Sequence, residues 1–561
     1  MSRAFNCSRL ALVAGTAMAL TACLDHPLKP VEYDKSEEAE NTVAIAINKD
    51  VDILFVIDNS GSMAEEQQRV AENFEAFITV LEADDVQANY RIGITTTDVG
   101  NPRCKSTTPE NGNLVLSSCL DRVDDGQFTA SDIDYSEACT ANCSLRDADL
   151  TIEPTVTEHD TTKSPRKWIE KINGESNVNG TDSMVEAFQC FGPQGVAGCG
   201  FESHLEGMYK ALAAAKQKSS KNNFDFIREA AILSIVIITD EADCSYNPDP
   251  EISKIFTTNK VFWFDPATDV APSSSMCWDA GVRCEGTAPS FSACRSENYD
   301  KDGKPGASDA DAVLIPVDKY VNFVNEIEKN KQMYDPDQQV LVSLIAGVPI
   351  GYENFSAEIP YQDSDDAEYQ SLFGIGPGCI VGPANMPTST AVPPVREREF
   401  AEAFNVDDAE GRNLYSICDD DYSAALADIA DKIRDQIKPA CMPNCVQDTK
   451  PETEVVDANC QLYEENLVQQ TRVPIEKCTE GKVNGVPTWV SSAGSKVCFA
   501  TLIDKDGKQT MSTLDNMSPE CVDDGFNLEF ILVRSGAAPA GTTISAACEL
   551  SGNKKKDCPK L

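Results

Sequence analysis

Three oxygen-bearing side chains, Asp58, Ser60 and Ser62, stand at alternate positions of the sequence. They directly follow the apolar run 53–57 (ILFVI), which predicts a strand buried on both faces. Carboxylate and hydroxyl oxygens are the ligands that hard divalent cations prefer. This spacing therefore indicates a metal site for Mg²⁺ or Ca²⁺, with Mn²⁺ as a third candidate.

A second apolar run, 231–238 (AILSIVII), again ends in an acid, Asp240, which follows Thr239. In an open α/β sheet, ligands bind at the carboxyl ends of the strands. If both runs are parallel strands of one sheet, Asp240 lies on the same rim as Asp58.

The elements that must position these side chains alternate between strand and helix patterns. After the first loop, apolar residues recur at helical spacing, with charged and amide residues on the other side. Further strands are predicted at 90–98 and 340–347, and further helices at 206–218, 317–329 and 421–437. Together they predict a doubly wound α/β fold with a mostly parallel sheet.

The motif Asp58-x-Ser60-x-Ser62 after a first strand, with Thr239-Asp240 closing a later one, resembles the von Willebrand factor type A (vWA) domain and its metal-ion-dependent adhesion site (MIDAS). The resemblance covers about residues 46–437. It implies that the Asp-x-Ser-x-Ser loop, a Thr from a second loop and an Asp from a third surround a divalent cation. It also implies one coordination position left for an acidic group of a partner.

The second loop departs from that pattern. In the stretch 198–208 (GCGFESHLEGM), Glu202 falls closest to the position of the Thr, and Ser203 is the alternative. A coordinating Glu202 would tighten a divalent cation while reducing its attraction for a partner's acid. Alternatively, Glu202 faces solvent at a helix N-terminus, where acids are common.

The N-terminus predicts export. Arg3 and Arg9 precede an apolar stretch, 10–22, that suits a signal peptide and is short for a membrane span. Residues 20–23 (LTAC) resemble the lipobox of bacterial lipoproteins, which implies cleavage after residue 22 and acylation (palmitate) of Cys23. Leu24 after that Cys implies anchoring in the outer membrane, on its periplasmic or surface face. A plain cleaved signal with Cys23 as a free thiol is the alternative.

The cysteine count agrees with export. Of 22 cysteines, Cys7 leaves with the signal and Cys23 takes the lipid, so an even number, 20, remains for disulfide bonds. With three His in the chain, the close pairs indicate bridges rather than zinc ligands. These pairs are Cys139/Cys143, Cys441/Cys445 and Cys190/Cys199.

The two resemblances, together with shifts in composition, imply four parts. They are a signal peptide, 1–22; an acidic tether, 23–45; a vWA-like domain, 46–437, with Cys-rich inserts at about 100–180 and 244–316; and a small disulfide-rich β domain, 438–561. Long inserts on the metal rim are where a binding surface is expected.

The formal charge of −44 makes nucleic acid an unexpected partner.

We find no Gly-x-Ser-x-Gly elbow, His-Glu-x-x-His helix or phosphate loop, and His204, near the rim, is a packing or surface residue in this interpretation. The sequence therefore predicts a protein that is not an enzyme. We expect an outer-membrane lipoprotein that mediates adhesion or protein–protein interaction, with a protein or other macromolecule as its partner, at the cell envelope. The alternative is a structural envelope component in which the metal only stabilises the fold.

Overall fold

The computed structural model describes residues 42–45 and 49–561, apart from a few short segments: 84–85, 173, 336–337, 383–388, 406–410, 438, 467–470, 484–485, 493–494 and 535–541. The predicted signal peptide, Cys23 and most of the predicted tether lie outside the described residues.

A seven-stranded sheet forms the centre of the molecule. Its strands are β1 (Asp50–Ile57), β2 (Asn89–Thr96), β3 (Trp168–Ile172), β4 (Glu175–Ser176), β5 (Ile232–Ile238), β6 (Leu341–Ala346) and β7 (Leu414–Ser416). They are ordered β7-β6-β5-β1-β2-β3-β4. β1, β2, β5, β6 and β7 are parallel to one another, whereas β3 and β4 run antiparallel to their neighbours. The predicted mixed α/β class with a mostly parallel sheet is confirmed.

Helices cover both faces of this sheet. They are α1 (Ala64–Leu81), α2 (Met184–Phe191), α3 (His204–Ala215), α4 (Val317–Lys331), α5 (Val395–Glu402) and α6 (Ser423–Gln436). Helices α1, α2 and α6 share one hydrophobic core with Ile53, Phe55 and Ile57. Helices α3, α4 and α5 share another with Leu54 and Val56. Because alternate side chains of β1 face opposite cores, the run of five apolar residues is explained by burial on both sides.

Aromatic packing fixes α1 and α2 against β1. Phe55 contacts the rings of Phe74, Phe77 and Phe188, at centroid distances of 5.2 to 6.1 Å. Phe74 and Phe188 stack almost parallel, with centroids 3.6 Å apart. Such aromatic pairs add roughly 0.5–1.5 kcal/mol beyond the burial of their area.

Strands β3 and β4 lie within the segment 100–180 that the sequence predicts as an insert. They extend the central sheet instead, because β3 pairs with β2 along four residues and a buried ion pair joins the two strands, with Arg91 Nε 2.9 Å from Glu170 Oε2. Strand β3 is short and carries the charged residues Glu170 and Lys171, so it lacks the apolar run by which the buried strands are recognised.

The chain leaves the rim of the sheet in three long excursions. The first holds the short helices Cys119–Asp124 and Glu137–Thr140 and the small strand pairs Thr129–Ala130/Ile133–Asp134 and Thr151–Ile152/Val178–Asn179. The second holds the 3₁₀ helix Ser253–Phe256, the helix Ser275–Gly281 and the hairpin Val282–Thr287/Ser290–Ser296. The third, between β6 and α5, holds the helix Ala367–Phe373 and the strand pair Cys379–Val381/Ser389–Ala391, and the sequence did not reveal it.

All twenty cysteines after Cys23 form disulfide bonds, as their even number predicts. In the three close pairs named from the sequence, Cys139/Cys143, Cys441/Cys445 and Cys190/Cys199, each cysteine is bonded to a cysteine outside its pair. Cys139 pairs with Cys119, and Cys143 pairs with Cys190. Cys199 pairs with Cys104. The sulfur atoms of Cys119, Cys139 and Cys143 lie together because these two bridges are neighbours.

After α6 the chain contains mainly short strands. They are Ala440–Cys441, Cys460–Asn466, Thr471–Pro474, Glu476–Lys477, Thr479–Val483, Val486–Val490, Val497–Leu502, Glu529–Arg534 and Thr542–Cys548, with the helices Pro519–Asp523 and Lys554–Asp557. Four disulfides stay within this region. The strand Thr42–Ile45, at the end of the predicted tether, pairs antiparallel with Thr542–Cys548.

Within the part of the chain that the structure describes, no helix has both the length and the apolar character that a membrane crossing needs.

We expect Phe188→Ala to lower the free energy of unfolding by about 3–5 kcal/mol, because the stacked ring between α1 and β1 is lost and a cavity remains. Urea unfolding of the oxidised protein measures the effect. The exposed Phe264→Ala is the control and should change stability by less than about 0.5 kcal/mol. Equal losses in the two variants would contradict the packing described here.

Candidate cation site

The predicted site lies where the strand order reverses. Strand β1 lies between β2, the next strand along the chain, on one side and β5 on the other side. In doubly wound sheets this point leaves a crevice at the carboxyl ends of the two strands. Asp58 directly follows β1, and Thr239 and Asp240 directly follow β5. The fold therefore brings together two segments that are 182 residues apart in sequence, as the positions 58 and 240 show.

The hydroxyls of Ser60 and Ser62 in the first loop form a short chain of contacts that ends at Asp240, in the loop after β5. Ser60 Oγ lies 3.3 Å from Ser62 Oγ, and the Ser62 hydroxyl donates to Asp240 Oδ1 at 3.1 Å. Ser60 and Asp240 are buried, whereas Ser62 is exposed. Three of the predicted ligands thus form one cluster that solvent reaches past Ser62.

Asp58 lies beneath this cluster and is fully buried. Its Oδ1 accepts the backbone N–H of Ser60 at 2.8 Å, and its Oδ2 accepts the Thr239 hydroxyl at 2.7 Å. His204 Nε2 lies 3.4 Å from the same Oδ2. Because both oxygens already have partners in the protein, Asp58 is placed to orient the Ser60 loop and to act on a cation through water.

Gln67 on α1 holds the loop in place. Its Nε2 donates to the carbonyls of Asp58 and Gly195, and its Oε1 accepts the N–H groups of Gln194 and Gly195. One buried amide therefore satisfies four backbone groups of two loops. From its spacing in the sequence, Gln67 belongs to the polar side of this helix, and nothing in that pattern indicates that its amide is buried.

A close backbone approach requires glycine at position 198. Its N–H donates to the carbonyl of Asn59 at 2.8 Å. A Cβ at Gly198 would lie 2.2 Å from Asn59 Oδ1 and 2.6 Å from Asn59 O. A side chain at this position would thus displace the Asp-x-Ser-x-Ser loop.

The second loop presents Glu202 rather than Ser203. The Ser203 hydroxyl donates to the carbonyl of Cys244 at 3.1 Å, and its N–H donates to Thr97 O at the end of β2. Glu202 is 1% exposed, so it does not face solvent. Its Oε1 is buried and has no hydrogen-bond partner among the described residues. Of the two side chains, Glu202 is the one with an uncommitted oxygen.

Four carboxyl groups crowd this crevice. Burial, together with the charges of Glu241 and Asp58, raises the pKa of Glu202 well above its usual value. Burial and the charges of Asp58 and Glu241 do the same to the pKa of Asp240. Burial and Asp58 raise the pKa of Glu241 to about 7. A divalent cation would relieve the repulsion between Asp58 and Asp240, and these carboxyls with the Ser60 and Ser62 hydroxyls are oxygen donors that fit a hard cation. Among the described residues, no three carboxyl groups have oxygens within 4.8 Å of one another.

His204 is the first residue of α3 and is completely buried below the site. Its Nδ1 lies 3.2 Å from Glu397 Oε1, on the side opposite Asp58. Burial lowers its pKa, but the bonds to Asp58 and Glu397 outweigh this and raise the pKa to about 10. His204 therefore ties the first loop to α5, which goes beyond the packing or surface role expected from the sequence.

Disulfide bonds brace the loops around the crevice. Cys104–Cys199 joins the loop after β2 to the loop that carries Glu202. Cys244–Cys277 joins the loop after Asp240 to the second excursion, and Cys379–Cys418 joins the third excursion to the loop after β7. Cys244 also donates its N–H to the Glu202 carbonyl at 2.7 Å. The rim is thus fixed before any ligand binds.

Comparison with known proteins gives no sequence relative: no family model matches the chain, and no curated protein matches it. Among solved structures it is similar to two crystal structures of the pilus adhesin SpaC from Lactobacillus rhamnosus GG. For one form the identity is 10% and the TM-score 0.24, with 90% of this chain and 39% of that chain covered. For the open conformation the identity is 9% and the TM-score 0.27, with 91% and 40% covered. The chain thus spans about two fifths of the length of SpaC.

It is also similar to the vWF domain of the type V pili tip protein Mfa5 from Porphyromonas gingivalis. The identity is 9% and the TM-score 0.26, with 71% of this chain and 97% of that chain covered. Superpositions this loose carry no argument about the fold or the function of this chain.

We expect Gln67→Leu to lower the free energy of unfolding by about 2–4 kcal/mol, because buried backbone groups of both loops lose their partner. Gln68→Leu is the matched control, since that amide bonds only the exposed Glu72 on the same helix. Chemical denaturation measures both variants. If the two variants unfold at the same denaturant concentration, Gln67 does not hold the loops.

Proposed function

We propose that this chain is an exported, lipid-anchored protein whose vWA-like domain binds a divalent cation and contacts another macromolecule at the cell envelope. Mg²⁺ and Ca²⁺ are the proposed cations, with Mn²⁺ as a third. The site comprises Asp58, Ser60, Ser62, Glu202 and Asp240.

One observation carries the proposal. Two hydroxyls and a carboxylate meet within hydrogen-bond distance at a crevice between parallel strands, and Glu202, on a neighbouring loop, has one buried oxygen without a hydrogen-bond partner among the described residues. A cation is one of the groups that would satisfy this oxygen. Ser60, Ser62, Asp240 and Glu202 would hold the cation, and Asp58 would act through water. The bound cation would supply positive charge and open coordination positions for a ligand.

We propose binding rather than catalysis because the same acids are accounted for as ligands. Asp58 has both oxygens occupied, and the His204 nitrogens lie against Asp58 and Glu397. Neither group is placed to transfer a proton to a substrate.

The excursions would supply the surface that meets the partner. The Ser274 hydroxyl of the second excursion donates to Gly200 O at 3.2 Å, two residues before Glu202. Val261, Phe264 and Val270 of the same excursion and Leu372 of the third are exposed apolar residues. Exposed apolar side chains on inserts that border a ligand site favour contact with another macromolecule.

The proposed localisation is the outer membrane, with Cys23 acylated, residues 23–45 as a tether, and a disulfide-rich β domain at 438–561. The ten disulfides support an oxidising compartment.

We expect Cys23→Ser to abolish incorporation of labelled palmitate and to release the protein from the membrane fraction. Cys7→Ser is the control, because that residue precedes the cleavage site. Palmitate labelling that persists in Cys23→Ser would contradict the anchor.

The metal proposal predicts ligand-dependent stability. Mg²⁺ or Ca²⁺ at 100 times its dissociation constant should stabilise the protein by about 2.7 kcal/mol, and thermal unfolding should shift accordingly. Asp240→Ala should lose this shift. Asp249→Asn, an exposed acid on the second excursion, should keep it. A melting temperature of the unmodified protein that responds to neither metal nor chelator would contradict the site.

The same variants separate adhesion from the structural alternative. In a pull-down from envelope extract, adhesion predicts capture that chelator abolishes and that Asp240→Ala lacks. If metal raises the melting temperature while capture is the same with and without chelator, the cation only stabilises the fold.

A further inference from the structure

We propose that a basic face at the end of α3 docks against the phosphate-bearing headgroups of an anionic membrane, so that the crevice between β1 and β5 points away from the lipid. The face comprises Lys210, Lys216, Lys218 and Lys221, on α3 and the turn after it, and Lys319 on α4. The inference goes beyond the proposed function and uses its lipid anchor only to set the direction in which the domain faces.

The face is a local exception in an acidic chain. The chain has 47 basic and 91 acidic residues, yet the stretch 207–224 holds four lysines and no acid. Lys216, Lys218 and Lys221 are exposed, and none of the four lysines forms an ion pair with an acid in the described part of the chain. The helix dipole favours a lysine at a helix C-terminus, but Lys218 and Lys221 lie beyond the last turn of α3. Their charges can therefore meet an anion from outside.

Two aromatic rings join the lysines of α3 and α4 into one surface. The rings of Tyr209 and Phe323 meet edge to face, with centroids 4.7 Å apart. Lys319 Nζ lies 4.0 Å from the centroid of Tyr209, and Lys216 Nζ lies 5.7 Å from that of Phe323. Lys319 also pairs with Glu206 at 2.8 Å, so its own charge is matched. The unmatched charge of the face is thus that of α3 and its turn.

Asn223 holds the lysine turn in place. Its Nδ2 donates to the carbonyls of Gly112 and Ala211, and its Oδ1 accepts the N–H of Leu114. Asn223 is fully buried, and its own N–H donates to Ser220 Oγ at 3.2 Å. The turn is therefore fixed against the first excursion before a partner binds, so its backbone loses little conformational entropy on docking.

The face lies at the end of the sheet opposite the crevice. Helix α3 begins at His204, beneath the crevice, and its 12 residues carry the chain about 18 Å along the sheet. At its other end, Ala215 O accepts the Asp225 N–H. Arg228, three residues later, pairs at 3.1 Å with Asp50, the first residue of β1. The lysines therefore lie at the amino ends of the parallel strands.

A membrane is the partner that this position favours. Only residues 46–49 separate the strand Thr42–Ile45 from β1, so the chain from the proposed anchor at Cys23 reaches the sheet at the same end as the lysines. Lysines that lie beside an anionic membrane surface strengthen binding about fivefold each. The crevice at the other end of the sheet would then face away from the lipid.

Acids near the face do not cancel it. Asp225 pairs with His159 at 2.6 Å, and Asp50 pairs with Arg228. At physiological ionic strength, charges further away than about 8 Å are largely screened. The acidic remainder of the chain therefore opposes a contact made by these lysines only weakly.

The test uses the processed chain, 23–561, with Cys23→Ser, so that no acyl chain contributes to binding. Co-sedimentation measures its affinity for vesicles made of equal parts of phosphatidylglycerol and phosphatidylcholine, at about 0.15 M salt. Vesicles of phosphatidylcholine alone are the uncharged control, and dextran sulfate is a soluble polyanion.

Two variants of this chain each replace three exposed lysines. The first combines Lys216→Gln, Lys218→Gln and Lys221→Gln. The matched control combines Lys554→Gln, Lys555→Gln and Lys556→Gln, which removes the same charge from an exposed run near the C-terminus. Equal melting temperatures establish that both variants fold.

We expect the chain to bind the anionic vesicles and not the uncharged ones. The first variant should bind about 100-fold more weakly, at fivefold for each lysine, whereas the control keeps its affinity. Vesicles should also protect Lys216, Lys218 and Lys221 from acetylation, read by mass spectrometry, and leave residues 554–556 reactive.

Absence of binding to the anionic vesicles, or an equal weakening in the two variants, would overturn the inference. Binding of dextran sulfate without binding of vesicles would overturn it too, because the partner would be a soluble acidic polymer. Palmitate labelling of Cys23 tests the anchor separately, since the vesicle assay uses a chain without an acyl group.

Discussion

The buried carboxylate of Asp58 is the interaction on which the rest of the rim depends. It receives a backbone N–H from its own loop, a hydroxyl from the end of β5 and an imidazole from the start of α3. Three elements that are distant in sequence therefore meet at one anion. A buried charge is tolerated only when it is bonded on all sides, so these contacts fix the relative positions of β1, β5 and α3 together.

The burial of the central sheet on both faces explains why the long excursions leave from its rim. The sheet is buried on both faces, so additions are accommodated in the loops at its edges. All three excursions are tied to the rim by disulfides or by hydrogen bonds from Ser274 and Ser389. The loops thus surround the crevice and are cross-linked to it. The disulfides offset part of the conformational entropy that is lost when the loops become ordered.

The buried strands and the site loops were predictable from sequence because their signals are local. The runs ending at Asp58 and Asp240 are apolar and uninterrupted, and the helices repeat at 3.6 residues. Strand β3 was missed because it is short and mixes charged with apolar residues. The disulfide partners, the four bonds of Gln67 and the burial of His204 depend on contacts between distant segments, which spacing along the chain does not encode. Glu202 stood out in the sequence only because it lies closest to the position that the vWA pattern gives to a Thr. Its burial follows from the three-dimensional fold and could not be predicted from the sequence.

The pairing of Thr42–Ile45 with Thr542–Cys548 has a mechanical consequence. Only residues 46–49 separate this strand from β1, so tension on the chain before Thr42 reaches the antiparallel pair before it reaches the central sheet. The strand Thr542–Cys548 is in turn cross-linked to Cys460 through Cys548. A pull from the N-terminal side therefore acts on the pairing of Thr42–Ile45 with Thr542–Cys548 before it acts on β1.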